Sequence, residues 1–168
     1  FARSVADTAL ILEVLAGQDK RDSSTSDRPV PDYRLALVKQ HLAALIGVVR
    51  LFFFDKASSE VCNHTSNVIV RMEEAGASIS TVDIPTNFET LLSAHRIIMA
   101  VEAATVHQSK FCKRAVDYSP DIRGLIEEGM VVPSVAYMQS QRIRRRFQRE
   151  VIAALENFDV LLTPSTGT

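Results

Sequence analysis

The sequence predicts an α/β fold with a helical insertion between its strands, and three observations carry that expectation. A strand-like run at 46–54 (IGVVRLFFF), a helical pattern over 58–76 and a second strand-like run at 78–84 (SISTVDI) follow one another in the order of a βαβ unit. Helical periodicity then fills roughly 87–113, 120–129 and 134–156 with no strand pattern between them. A short strand, 159–162 (DVLL), follows and is stopped by Thr163-Pro164.

Taken in order, each element has a local reason. Ser4 stands as N-cap of a first helix, and Asp7 brings a carboxylate to the positive end of its dipole. Val5, Ala9, Leu12, Leu15 and Ala16 recur at helical spacing, and Gly17 sits where a left-handed residue ends the helix. Residues 17–32 (GQDKRDSSTSDRPVPD) are polar, carry two prolines and lie between apolar periodic flanks, so they read as a surface loop. A helix is expected over 33–44. The 46–54 run is nearly unbroken and rich in β-branched and aromatic residues, the habit of a parallel strand buried on both faces. On the next helix Val61, Thr65, Val68, Ile69 and Met72 share one face, and Gly76 stops it. On the last long helix Ile143, Phe147, Val151, Ala154, Leu155 and Phe158 form an apolar seam. Arg142, Arg144, Arg145, Arg146 and Arg149 cover the rest of its circumference as a solvated face.

Composition narrows the classes. Hydrophobic residues are 46% and charged residues 23%, the mixture of a soluble globular protein rather than a disordered or fibrous one. Nineteen Lys+Arg against twenty Asp+Glu leave a formal charge of −1, without the basic excess of a nucleic-acid module. Cys62 and Cys112 make no CxxC, no zinc spacing and no disulfide framework, which points to a reducing, cytoplasmic setting. The most apolar stretch, 42–54, contains Arg50 and falls short of the ~20 residues of a spanning helix. The chain opens on Phe1 in helix-entry sequence, without a charged leader, and closes on LLTPSTGT. Both ends read as interior sequence, so residues 1–168 are expected to form a single partial domain of something longer.

The residue constellations yield no catalytic set. No GxGxxG or Walker A motif occurs. Of the histidines at 41, 64, 95 and 107, none belongs to an HExxH. His95, Glu102 and His107 read as a polar stripe, because a metal site needs three or four converging ligands. Neither metal nor cofactor is expected. Ser23-Ser24 and Ser58-Ser59 lack the flanking glycines that let backbone N–H groups approach an oxyanion, and there is no GxSxG. Cys62 and His64 are two apart on one helix and diverge, and both cysteines read as packed. Glu73-Glu74 and Glu127-Glu128 are adjacent pairs that diverge by about 100° on a helix and make no acid/base couple.

Longer stretches are more telling. FARSVADTALILEVLAGQD carries an Ala-Arg-Ser-Val-x-Asp stretch at Ala2, Arg3, Ser4, Val5 and Asp7, a helix, then an Ala-Gly-x-Asp turn at Ala16, Gly17 and Asp19. Further on come the 46–54 strand, the EAGA turn at 74–77, the helix with Glu102-Ala103-Ala104 and His107, and DYSPDIRGLIEEG. Tyr137, Gln141, Arg142 and Arg145 follow as a Y-x-x-x-Q-R-x-x-R helix, and 159–164 as a D-V-L-L-T-P strand. In this order the whole chain resembles the amidase signature family. The resemblance implies part of a mixed sheet with flanking helices, and cleavage of carbon–nitrogen amide bonds by a Ser–cis-Ser–Lys triad. It also implies that the triad and its glycine-rich loop precede Phe1, so no catalytic residue is assigned here. The chain alone is then expected to be inactive.

The loop at Thr163, Pro164 and Ser165 follows a strand's C-terminal end, where open α/β sheets seat their ligands, and is the expected substrate-binding segment. The partner implied is a small-molecule amide, with no direct nucleic-acid or membrane contact and with room for a homo-oligomer. The A subunit of a glutamine-dependent tRNA amidotransferase resembles the same pattern, but Asp121-Ile122-Arg123-Gly124 departs from its Lys-Arg-Arg-Ile-like stretch. A non-catalytic binding or assembly remnant is the third reading.

Overall fold

The computed structural model describes residues 1–38 and 43–167. The chain divides into two compact units, Phe1–Leu42 and Ala43–Thr168.

In the first unit, α1 (Val5–Leu15) begins as its sequence directs: the Ser4 Oγ accepts a hydrogen bond from the Asp7 N–H at 3.1 Å. Gly17 has φ +124°, a conformation that side chains disfavour. The following loop is held by its own polar groups. Asp19 accepts from the backbone N–H of Arg21 at 2.9 Å and from its guanidinium at 3.1 and 2.9 Å. Thr25 Oγ1 accepts from the Asp19 N–H at 3.0 Å. The expected 33–44 helix is shorter: α2 spans Tyr33–Val38, positions 39–42 lie outside the described residues, and Ala43 and Ala44 are not helical. Arg34 on α2 pairs with Glu13 on α1 at 3.0 Å.

The Arg21 guanidinium, and then its backbone N–H, hold the Asp19 carboxyl below the usual range. A depressed carboxylate stabilises the loop at neutral pH, and that support is lost as pH falls through the lowered value. An NMR titration should place Asp19 below an ordinary aspartate, and Arg21→Ala should return it towards 3.8.

The second unit is built on a three-stranded sheet in the order β2-β1-β3, all parallel. β1 is Leu45–Val48, β2 is Ser78–Thr81 and β3 is Val160–Leu162. Ile46 pairs with Ile79 on one side and with Val160 on the other. The central strand is the buried one, with Ile46 at 5% and Val48 at 1% exposure.

The 46–54 strand is corrected: β1 ends at Val48 and the chain turns into a short helix, α3 (Phe53–Lys56). Phe52 takes φ +72° at that turn. Past Arg50, Leu51 is exposed, while Phe52 and Phe53 pack against the buried Val49, Ile84 and Phe88. Phe52 stacks on Phe88 at 5.0 Å, Phe53 meets Phe88 edge-on at 5.1 Å, and Phe147 meets it at 5.7 Å. β2 is likewise shorter than 78–84, although the Val82 N–H still donates to the Val48 carbonyl at 3.0 Å.

The connection between β1 and β2 is α3 and then α4 (Ser59–Glu74). The Ser58 Oγ accepts from the Val61 N–H at 3.3 Å, and Gly76 follows the helix at φ +97°. Thr65 and Ile69 are buried, with Val61, Val68 and Met72 half-buried beside them. The helical insertion is α5 (Phe88–Arg114), a 3-10 turn at Ala115–Asp117, α6 (Pro120–Val131) and α7 (Ser134–Leu155). Both α6 and α7 pack on α5. Ala104, Phe111 and the fully buried Ile126 form the core between α5 and α6.

On α7 the arginines are exposed as expected. Leu155 of its apolar seam is exposed too, at 40%, whereas Phe147 and Val151 pack against the Val49–Ile84–Phe88 core. Cys112 is exposed rather than packed. Cys62 is half-buried, with its Sγ 3.4 Å from the Phe54 carbonyl.

Candidate functional site

The C-terminal ends of β1 and β3 lie side by side, since the Val49 N–H donates to the Leu162 carbonyl at 3.1 Å. Beyond β3 the chain passes through Thr163, half-buried, Pro164, buried, and Ser165, exposed. The Gly167 carbonyl then accepts from the Ser58 N–H at 2.7 Å. That bond ties the segment after β3 to the start of α4.

Between them lies an open cleft of 1140 Å³. One wall is Leu162 to Thr166, which includes the three residues singled out from the sequence. The other is the first half of α4, with Ser58, Val61, His64, Thr65 and Val68. A helix that follows β1 starts at the strand's C-terminal end, so the parallel topology forces both walls to the same edge of the sheet.

Hydrogen bonding decides what this wall can do. The Thr65 hydroxyl donates to the Val61 carbonyl at 2.8 Å and the Ser58 hydroxyl oxygen caps Val61. Neither is paired with a general base among the described residues.

The other polar groups noted in the sequence are dispersed. His107 Nδ1 lies 3.2 Å from the Tyr118 hydroxyl. Glu102 accepts from the Tyr137 hydroxyl at 3.3 Å and from Gln141 Nε2 at 3.4 Å, which joins α5 to α7. His95 is exposed. Among the described residues no group of three or more His, Cys, Asp or Glu is placed to hold a metal ion. Glu128 leaves its neighbour and pairs with Arg96 at 2.6 Å.

The α4 wall was not read from the sequence as part of a site. Its signal was present: Ser58 is an N-cap serine in the connection that leaves the first strand of a βαβ unit, at the strand end where open α/β sheets seat ligands.

A parallel sheet with a cleft at the carboxyl ends of its strands is the ligand-binding arrangement of open α/β enzymes. The family model described as Amidase matches residues 1–168, and the chain belongs to that family. It is 34% identical over 165 residues to an amidase of Pseudomonas putida, covering 98% of this chain and 35% of that relative. It is 29% identical over 191 residues to the A subunit of the glutamyl-tRNA(Gln) amidotransferase of Moorella thermoacetica, covering 100% of this chain and 39% of that relative. Among solved structures, a bacterial aryl acylamidase of the amidase signature enzymes shares the fold at TM-score 0.80 and 20% identity, over 99% of this chain and 38% of that one. A protein from a complex bearing on the origins of an s-triazine catabolic enzyme matches at TM-score 0.86 and 25% identity, over 99% of this chain and 35% of that one. The chain thus spans 35% to 39% of the length of these curated relatives.

Proposed function

We propose that the intact protein carrying this chain is a cytoplasmic amide hydrolase, and that residues 1–168 are a partial domain forming one wall of its substrate cleft. The observation that carries the reading is the cleft itself, placed at the ends of β1 and β3 in a chain of the Amidase family. Thr163, Pro164 and Ser165 contact the amide substrate. The nucleophile, the groups that activate it and the oxyanion donors come from residues outside this sequence, in the Ser–cis-Ser–Lys arrangement that the resemblance implies. Two free thiols support a reducing compartment. No helix among the described residues is long and apolar enough to cross a membrane.

The test is amine or ammonia release from a panel of small amides by the intact protein. Hydrolysis is expected. Thr163→Ala and Ser165→Ala should each lower kcat/KM about tenfold, the scale of one lost hydrogen bond at a substrate. No turnover of any amide, or two variants indistinguishable from the parent, overturns the reading. The size-exclusion mass of the same preparation tests self-association.

A second reading, the A subunit of a glutamine-dependent tRNA amidotransferase, is favoured by relatives such as that of Moorella thermoacetica at 29% identity. The 34% match to an amidase and the Asp121-Ile122-Arg123-Gly124 stretch favour the first. Ammonia release from glutamine that requires partner proteins and charged tRNA would decide for the second.

A further inference from the structure

We infer that the cleft between α4 and Thr163–Thr166 accepts the uncharged or cationic part of an amide substrate and rejects a carboxylate, an inference that rests on the hydrolase reading above. Its lining explains why. Ser58, Asn63, Asn67, Thr163 and Ser165 offer neutral hydrogen-bonding groups. Among the described residues Glu60 is the one carboxylate of the lining, and no lysine or arginine belongs to it. Cations are not scarce in this chain, which has nineteen Lys+Arg, so their absence belongs to this surface and not to the composition.

The positive end of α4 is partly answered within the chain. Ser58 Oγ caps the Val61 N–H, and Glu60 lies in the first turn, where its carboxylate offsets the helix dipole. A carboxylate entering the open cleft finds no lysine or arginine among the described residues of this wall and meets the like charge of Glu60. An ammonium or a hydroxyl meets acceptors instead.

The test uses the intact protein and three matched primary amides that end in a hydroxyl, an ammonium or a carboxylate. All three compounds are assayed at one fixed pH and ionic strength. The expected result is turnover of the hydroxyl and ammonium compounds, with kcat/KM for the carboxylate lower by about tenfold or more, as two like charges a few ångströms apart require. Glu60→Lys should narrow the ammonium-to-carboxylate ratio by roughly tenfold, and Glu60→Gln by part of that. Preference for the carboxylate, or a ratio unmoved by both Glu60 variants in an active enzyme, overturns the inference and leaves the hydrolase standing. Failure to cleave all three overturns both.

Discussion

Gly129→Ala should destabilise the helical insertion by about 3 kcal/mol, although alanine is the better helix former by about 1 kcal/mol. The reason is a backbone contact. A Cβ at Gly129 would stand 2.0 Å from the Ala100 carbonyl oxygen and 2.9 Å from the Ala104 Cβ. The first neighbour is main chain within α5 and has no rotamer to change, so α5 and α6 must separate. That opens the layer occupied by Ile126, whose side chain is fully buried, and by Ala104 and Phe111. Overpacking and lost burial therefore act together and outweigh the gain in propensity. Gly124 is the internal control. It lies on the same helix with nothing within 4 Å of its missing Cβ, so Gly124→Ala should stabilise by about 0.5–1 kcal/mol. Native-state hydrogen exchange of the α6 amides in the intact protein reads both. Protection should fall roughly a hundredfold for the first variant and rise severalfold for the second. Equal behaviour of the two glycines would show that the α5–α6 approach is not as close as described.

The contrast between those glycines marks where local sequence stops informing. Both look alike in the pattern DIRGLIEEGM, and only the crossing of a second helix distinguishes them. Helices were legible because an apolar stripe at helical spacing and a cap are local facts. Ser4, Ser58 and Asn87 each accept a hydrogen bond from the third residue on, at 3.1, 3.3 and 3.0 Å. Strand lengths were not. Phe52 and Phe53 have the composition of a buried strand but belong to an aromatic cluster around Phe88, and period alone does not separate the two.

The site shows the same division. Thr163 to Ser165 stood out because a proline closes a strand there. The facing wall on α4 comes to them through the pairing of β1 with β3, which the Leu45 N–H anchors at 2.8 Å on the Asp159 carboxylate, and through the Ser58 N–H on the Gly167 carbonyl. Contacts between residues so far apart along the chain leave no local trace.

Glu150→Ala should cost about 3 kcal/mol, because it strips a buried threonine of its acceptor. Thr86, in the connection from β2 to α5, is 2% exposed. Its N–H donates to Glu150 Oε2 at 2.9 Å, and its hydroxyl donates to the same oxygen. Removing the carboxylate leaves two buried donors unsatisfied, at about 1–3 kcal/mol each. Arg146, whose Nε lies 3.7 Å from Glu150 Oε1, is too exposed for its lost pairing to add much. Glu150→Gln keeps an amide oxygen in reach of Thr86 and should cost about 1 kcal/mol. A double-mutant cycle with Thr86→Val isolates the hydroxyl: once it is gone, Glu150→Ala should cost about 1 kcal/mol less. Because Asn87 caps α5 one residue later, hydrogen exchange should report the damage first at Thr86 and the opening turn of α5. A Glu150→Ala variant within about 0.5 kcal/mol of the parent, with those amides unchanged, would mean the connection is held by the Ile84 and Phe88 side chains alone. The carboxylate would then be a passive neighbour, and the orientation of the insertion over the sheet would rest on apolar packing.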